Sequence, residues 1–252
     1  MTTEFVSVFR EPPIGRVVLS RPEKRNAMTL AMVQRVSSGV RELDADAEIG
    51  VILIEAEGDE FSSGGDLAEY KGLPIDHQEA WRLLSTGQDL VTSIEEATTI
   101  VVAKVQGLAH AGGLLLSLCA DLTVASTAAR FRVPELLVAR PDPFIPARLI
   151  AKVGLERASW LMLTAREIDG TEAERMGLVA RCVEPALLDA EVKETLDAIL
   201  ATDQASRAAW KPVLRREIMP FDPHRMIGFF TSEATANAAK PYVRSESESE
   251  AE

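Results

Sequence analysis

The sequence predicts an α/β fold with largely parallel strands, followed by a helical C-terminal part. Three observations carry this reading. Apolar runs at residues 51–54 and 100–103 have the length of strands buried on both faces. Amphipathic helical stretches, residues 30–43 and His77–Glu95, alternate with them, which is the pattern of strand–helix–strand units. From about Pro143 onward the strand signals give way to helical ones.

Taken in order, residues 5–8 alternate in polarity and read as a short strand. Pro12-Pro13-Ile14-Gly15 is a turn, and residues 16–20 form a second strand. Residues 21–28 are a polar loop. Thr29 is placed to accept the first free amides of a helix over 30–43, and Asp44-Ala45-Asp46 closes it. Residues 51–55 are the next strand, and residues 67–73 form a short helix or an irregular loop. After the long helix His77–Glu95 come a strand at 100–104, a buried helix at 114–120, a strand at 122–125 and a short extended piece at 129–133. Helices are expected at 148–152, 156–163, 172–176, 185–200 and 205–219. The expected division is an α/β core over 1–195, a helical region over 196–244 that forms a subunit contact or lid, and an acidic tail over 245–252. That tail is a Ser/Glu run without the apolar surface to order it.

The bulk composition narrows the function. With 252 residues, 46% of them hydrophobic, the chain can bury a sizeable core. A net charge of −12 disfavours nucleic acid as a partner. Cys119 and Cys182 lie far apart in apolar surroundings, as expected of buried free thiols in a reducing cytoplasm. Residues 1–10 lack a basic region followed by an apolar stretch, and no apolar run is long enough to span a bilayer. His77, His110 and His224 have no metal-ligand spacing, so no metal is expected.

Two glycine corners then stand out. Phe61-Ser62-Ser63-Gly64-Gly65-Asp66-Leu67 follows the strand at 51–55. Val105-Gln106-Gly107-Leu108-Ala109-His110-Ala111-Gly112-Gly113 follows the strand at 100–104 and runs into a buried helix. The first amides of a helix lack intrahelical partners and carry the positive end of its dipole, and glycine lets a ligand approach them. Two such corners sharing one oxygen make an oxyanion hole.

These two motifs resemble the crotonase superfamily of enoyl-CoA hydratases and isomerases. The resemblance runs in order from Val17-Val18-Leu19-Ser20-Arg21-Pro22-Glu23-Lys24-Arg25-Asn26-Ala27-Met28 to Gly177-Leu178-Val179 and covers most of the chain. It implies a spiral of ββα units, an acyl-CoA thioester as substrate with coenzyme A as part of it, no separate cofactor, and a homotrimer or dimer of trimers. It assigns the oxyanion donors to the amides of Ser63 and Gly112. It places Lys24, Arg25, Ala27, Ser63, Gly64, Gly65, Asp66, Leu67, Gly112, Leu115 and Pro134 against the CoA ester. For Lys24 and Arg25 a solvated basic loop is the competing reading. Asp66 is expected to cap the short helix after Gly65, and His110 to be a packed, hydrogen-bonded histidine.

Of two glutamates that hydratases use to hold water, the first position is Leu115 and the second is Glu135. A lone carboxylate beside leucine clamps water poorly but can move a proton from C2 to C4 of an enoyl thioester. Monofunctional enoyl-CoA isomerases of the superfamily resemble this pattern. Asp142, in Arg140-Pro141-Asp142-Pro143-Phe144, is either a partner in that proton relay or a turn residue between prolines. A hydratase, with Asp142 as the second water-holding group, and a non-catalytic acyl-CoA binder are the alternatives. After Phe221 the match fades, including the segment expected to hold the outer CoA phosphate.

Overall fold

The computed structural model describes residues 5–69 and 76–214. Strands β1 (Val6–Glu11) and β2 (Ile14–Leu19) form an antiparallel hairpin around Pro12-Pro13. Helix α1 (Leu30–Asp44) starts where Thr29 Oγ1 accepts the Met32 amide at 3.1 Å. It buries Met32, Val36, Val40 and Leu43, three or four residues apart along one face. Strand β3 (Val51–Ala56) runs parallel to β2. Helix α2 (His77–Glu95) opens on Asp76, whose carboxylate accepts the Glu79 amide at 2.8 Å.

Strand β4 (Ile100–Val105) leads through β5 (Leu108–His110) into helix α3 (Gly112–Cys119). Strands β6 (Leu122–Ser126) and β7 (Arg130–Arg132) follow, then helices α4 (Ile145–Val153) and α5 (Leu155–Thr164). The chain continues through β8 (Ile168–Asp169), α6 (Gly170–Met176), β9 (Arg181–Val183), α7 (Leu188–Leu200) and α8 (Gln204–Leu214).

The large sheet has the order β1-β2-β3-β4-β6-β9, parallel from β2 onward. The small sheet has the order β5-β7-β8. Both orders follow the chain, so each strand–helix turn stacks on the last as a spiral. This is the α/β architecture with a helical C-terminal part that the sequence predicts.

Period-two burial explains the layers. On β3, Ile52 and Ile54 face the main core with α1, α2 and α3, whereas Val51 and Leu53 face Leu188, Val192 and Leu196 of α7. A strand covered on both faces cannot alternate polar with apolar, which is why it reads as a continuous apolar run. Each fully buried aliphatic side chain here contributes about 1.5–3 kcal/mol.

The structure departs from the sequence expectations in places. Leu108–His110 is a strand rather than part of a turn, because it pairs with β7. The helix expected from residue 185 begins as a separate turn of tighter helix, Pro185–Leu187, before α7. α7 runs unbroken through residue 195, where the expected boundary fell. Cys119 is buried and Cys182 only half-buried. Of the loop expected at 67–73, Leu67–Glu69 forms one turn of tight helix and the rest lies outside the described residues. So do most of the region 196–244, the end of the helix at 205–219, and the tail. No helix among the described residues is long and apolar enough to cross a membrane.

Candidate active site

Successive turns of the spiral are stitched together beyond the ends of the large-sheet strands. Met28 bridges Gly65, Ser62 bridges Ala109, and β5 pairs with β7. These neighbouring rungs bring the two glycine corners together. A methyl group placed on Gly112 would lie 3.6 Å from the Gly65 nitrogen, and one on Gly113 would lie 2.4 Å from the Ser62 carbonyl oxygen. Gly64 has φ +104, open to glycine and strained for other residues, and its carbonyl accepts the Met28 amide at 2.7 Å.

The amides of the first corner are almost all engaged. Ser62 N–H donates to Leu108 O at 2.8 Å, Gly64 N–H to Ser62 Oγ at 3.1 Å, and Asp66 N–H to Met28 O at 2.8 Å. Ser63 N–H donates to Arg25 O at 3.0 Å. That bond corrects the expectation that Ser63 supplies the first oxyanion donor: its amide is turned to the Arg25 loop. Gly65 N–H has no partner among the described residues. Neither does Gly112 N–H, at the start of α3, where no intrahelical acceptor exists. Gly65 and Gly112 both line one cavity of about 410 Å³.

Glu135 enters that cavity at the start of a tight helical turn, Glu135–Val138, beginning after Pro134. Its carboxylate is buried, and Oε2 has no hydrogen-bond partner. Burial, reinforced by the nearby charge of Asp142, pushes its pKa up to about 8. Leu115, one turn into α3, is 4% exposed and lines the same cavity. Asp142 lies on the wall too, but one of its oxygens is engaged. Oδ1 accepts the amides of Phe144 and Ile145 at 2.7 and 2.8 Å, capping the start of α4. Burial raises the Asp142 pKa, while those two amides and Arg148 oppose the rise.

Of the residues expected to meet the CoA ester, Ser63, Gly65, Asp66, Leu67, Gly112, Leu115 and Pro134 line the cavity. Gly64 does not. Lys24, Arg25 and Ala27 also lie off its wall, with Lys24 and Arg25 exposed. Asp66 Oδ1 accepts the Ala68 amide at 3.0 Å, as a cap does, and Oδ2 takes Arg21 Nη1 at 2.6 Å. His110 is off the wall. Its Nε2 lies 3.0 Å from a Glu167 carboxylate oxygen, and burial pushes its pKa down while Glu167 opposes the fall.

Three important residues escaped the sequence reading. Arg21 ties Asp66 to the Ala27 carbonyl, the latter at 3.0 Å. Asn26, fully buried at φ 51, donates to the carbonyls of Glu57 and Glu60 at 2.9 and 2.7 Å. Phe144, 4% exposed, lines the cavity. Asp66, Glu57 and Glu60, which these two residues reach, lie about thirty to forty-five residues away, so no local pattern marks them.

Known proteins resemble this chain in sequence and in fold. Residues 10–225 match the family model described as enoyl-CoA hydratase/isomerase. A probable enoyl-CoA hydratase of Mycobacterium tuberculosis is 31% identical over 217 residues, covering 86% of this chain and 83% of that protein. The crystal structure of an enoyl-CoA hydratase from Mycobacterium avium subsp. paratuberculosis superposes with a TM-score of 0.86 at 23% identity, covering 95% of this chain and 99% of that one, a likeness of fold. That of a monofunctional enoyl-CoA isomerase from M. smegmatis gives a TM-score of 0.70 at 26% identity, covering 92% and 100%.

Proposed function

The chain belongs to the enoyl-CoA hydratase/isomerase family, and from that premise we propose that it shifts a double bond in an enoyl-CoA thioester. The observation that carries this reading is Glu135, a buried carboxylate with an unpartnered oxygen, beside Leu115 and in the same cavity as two unpartnered amides.

In this reaction the thioester oxygen of a 3-enoyl-CoA accepts from Gly65 N–H and Gly112 N–H. Ionised Glu135 takes the proton from C2. The C–H electron pair moves into the conjugated system, and negative charge gathers on the thioester oxygen, where the two amides stabilise it by about 3 kcal/mol each. Protonated Glu135 returns the proton to C4, and the double bond settles between C2 and C3. Coenzyme A arrives and leaves as part of the substrate, and no other cofactor takes part. Leu115 presents no group that would hold a water for addition.

Hydration is the second reading. Asp142 stands near Glu135, and most of the related proteins carry hydratase names. The engagement of Asp142 Oδ1 with two amides weighs against its gripping a water with both oxygens. A homotrimer or dimer of trimers belongs to the same proposal, supported by the exposed Leu136, Leu137, Leu155 and Leu163. Light scattering of the purified protein tests it.

The decisive experiment incubates the enzyme with 3-enoyl-CoA and, separately, 2-enoyl-CoA. Isomerised product from the first, without 3-hydroxyacyl-CoA from the second, is expected. Rapid hydration would replace isomerase by hydratase. Binding without turnover of either would leave an acyl-CoA binder. Glu135→Gln is expected to lower turnover by about 10²–10⁴-fold and to spare binding of the thioester.

A further inference from the structure

The cavity has one markedly apolar wall, and it contains a notch. Helix α2 contributes Leu83, Leu84, Gly87 and Leu90 to it, with Thr86 beside them and Glu79 nearer the start of the helix. These positions follow the helical spacing that keeps one face toward the cavity. Gly87 is the gap in that face. A methyl group placed on Gly87 would lie 2.6 Å from Phe144 Cε2 and 3.2 Å from Cζ, so the Phe144 ring fills the missing side chain's space. The Phe144 backbone is held in place as well. Asp142 Oδ1 accepts the Phe144 amide at 2.7 Å, and Arg148 Nη1 donates to the Phe144 carbonyl at 2.9 Å. Arg148 is itself fixed by two bonds to Glu95 of α2, at 2.8 and 2.7 Å. The ring and the helix it rests on therefore form one braced unit.

We propose that the Phe144 ring, seated in the Gly87 notch, is the stop that sets acyl-chain length, and that the acyl tails of the substrates end against it. This rests on the acyl-CoA reading above. A wall of leucines and one aromatic edge offers dispersion contact and little else, so it recognises a hydrocarbon tail rather than a polar one. The ring occupies volume that further methylenes would need.

The test uses binding as well as turnover. Saturated acyl-CoA thioesters of increasing even chain length are titrated into the full-length protein by calorimetry, and kcat/KM is measured for the matching 3-enoyl thioesters. In the wild type, affinity is expected to rise about fourfold per added methylene and then fall once the tail reaches the ring. Phe144→Ala is expected to move the optimum to longer chains, with Phe144→Leu moving it less. Gly87→Ala pushes the ring into the cavity and is expected to move the optimum to shorter chains. Circular dichroism and melting temperature establish that each variant is folded, and Phe144→Leu keeps the test open if the alanine variant does not fold. Unchanged length profiles in folded variants would overturn the role of Phe144 and leave the acyl-CoA reading standing. A wild type that binds no acyl-CoA of any length would overturn both.

Discussion

Asp142 stands close enough to Glu135 for its charge to add to burial in holding the Glu135 carboxyl at about 8. The two side chains come from different segments, a turn after β7 and the loop before α4, and meet on one cavity wall. Their environments differ. Glu135 Oε2 has no partner, whereas Asp142 Oδ1 has two amides. Unequal surroundings of this kind set two neighbouring carboxyls apart in how tightly each holds its proton.

The first prediction follows from that division. Glu135 must be ionised to take a proton, and with a pKa of about 8 it is mostly protonated at neutral pH. The value of kcat/KM is expected to rise with pH and level off above about 8, falling about tenfold per unit below it. Asp142→Asn removes the neighbouring negative charge and should move the inflection to lower pH. A pH–rate profile of the two proteins checks this. An inflection unmoved by Asp142→Asn would mean that burial alone sets the Glu135 value.

The same shift has a consequence for stability. A carboxyl whose folded pKa is raised binds its proton more tightly when folded than when unfolded. Its contribution is fully present below the unfolded value of 4.5 and is lost as pH rises through about 8. Glu135→Gln carries no such titration. Its melting temperature is expected to gain on the wild type by several degrees between pH 5 and about 9. Melting curves across that range test the point, and parallel curves would contradict burial of an ionisable Glu135.

The assignment of Gly65 rather than Ser63 can be tested by removing one amide at a time. An amide-to-ester replacement deletes a single N–H and leaves the side chains alone. At Gly65 it is expected to lower kcat by about 10²–10³-fold with little change in melting temperature. At Ser63 it breaks the 3.0 Å bond to Arg25 O and should cost about 1 kcal/mol of stability, with a far smaller effect on kcat. Equal kinetic losses at both positions would restore Ser63 to the chemistry.

This pair marks the border of what the sequence makes legible. α2 is readable to both ends, His77 and Glu95, because its apolar face repeats over nineteen residues. The two corners were readable as glycine turns after strands. Which amide of the first corner is left free was not readable, because that depends on Arg25, Met28 and Leu108 accepting or donating from other spiral turns. β5 and β8 have three and two residues, too few to show a period, and exist through pairing with β7. Phe144 looked like any aromatic after a proline, and only the notch at Gly87 gives it a place.

The last prediction separates support from chemistry at the opposite end of the strands. Lys211 of α8 is 1% exposed, and its ammonium donates to Ile94 O at 3.0 Å, to Thr99 O at 2.9 Å, and pairs with Asp121 Oδ2 at 2.9 Å. Thr99 and Asp121 directly precede β4 and β6, whereas the glycine corners follow the far ends of β3 and β4. Lysine is rarely buried without such a set of acceptors, and removing it leaves the Asp121 charge and two carbonyls short of a donor. Lys211→Met keeps most of the apolar stem and deletes the charge. Amide exchange in α8 is expected to quicken by about 100-fold, the equivalent of about 3 kcal/mol, while α3 amides keep their protection. Turnover should stay within a factor of two of wild type, because the cavity lies at the other end of the strands. Loss of turnover with unchanged exchange in α8 would mean that Lys211 acts on the site and not on the docking of its helix.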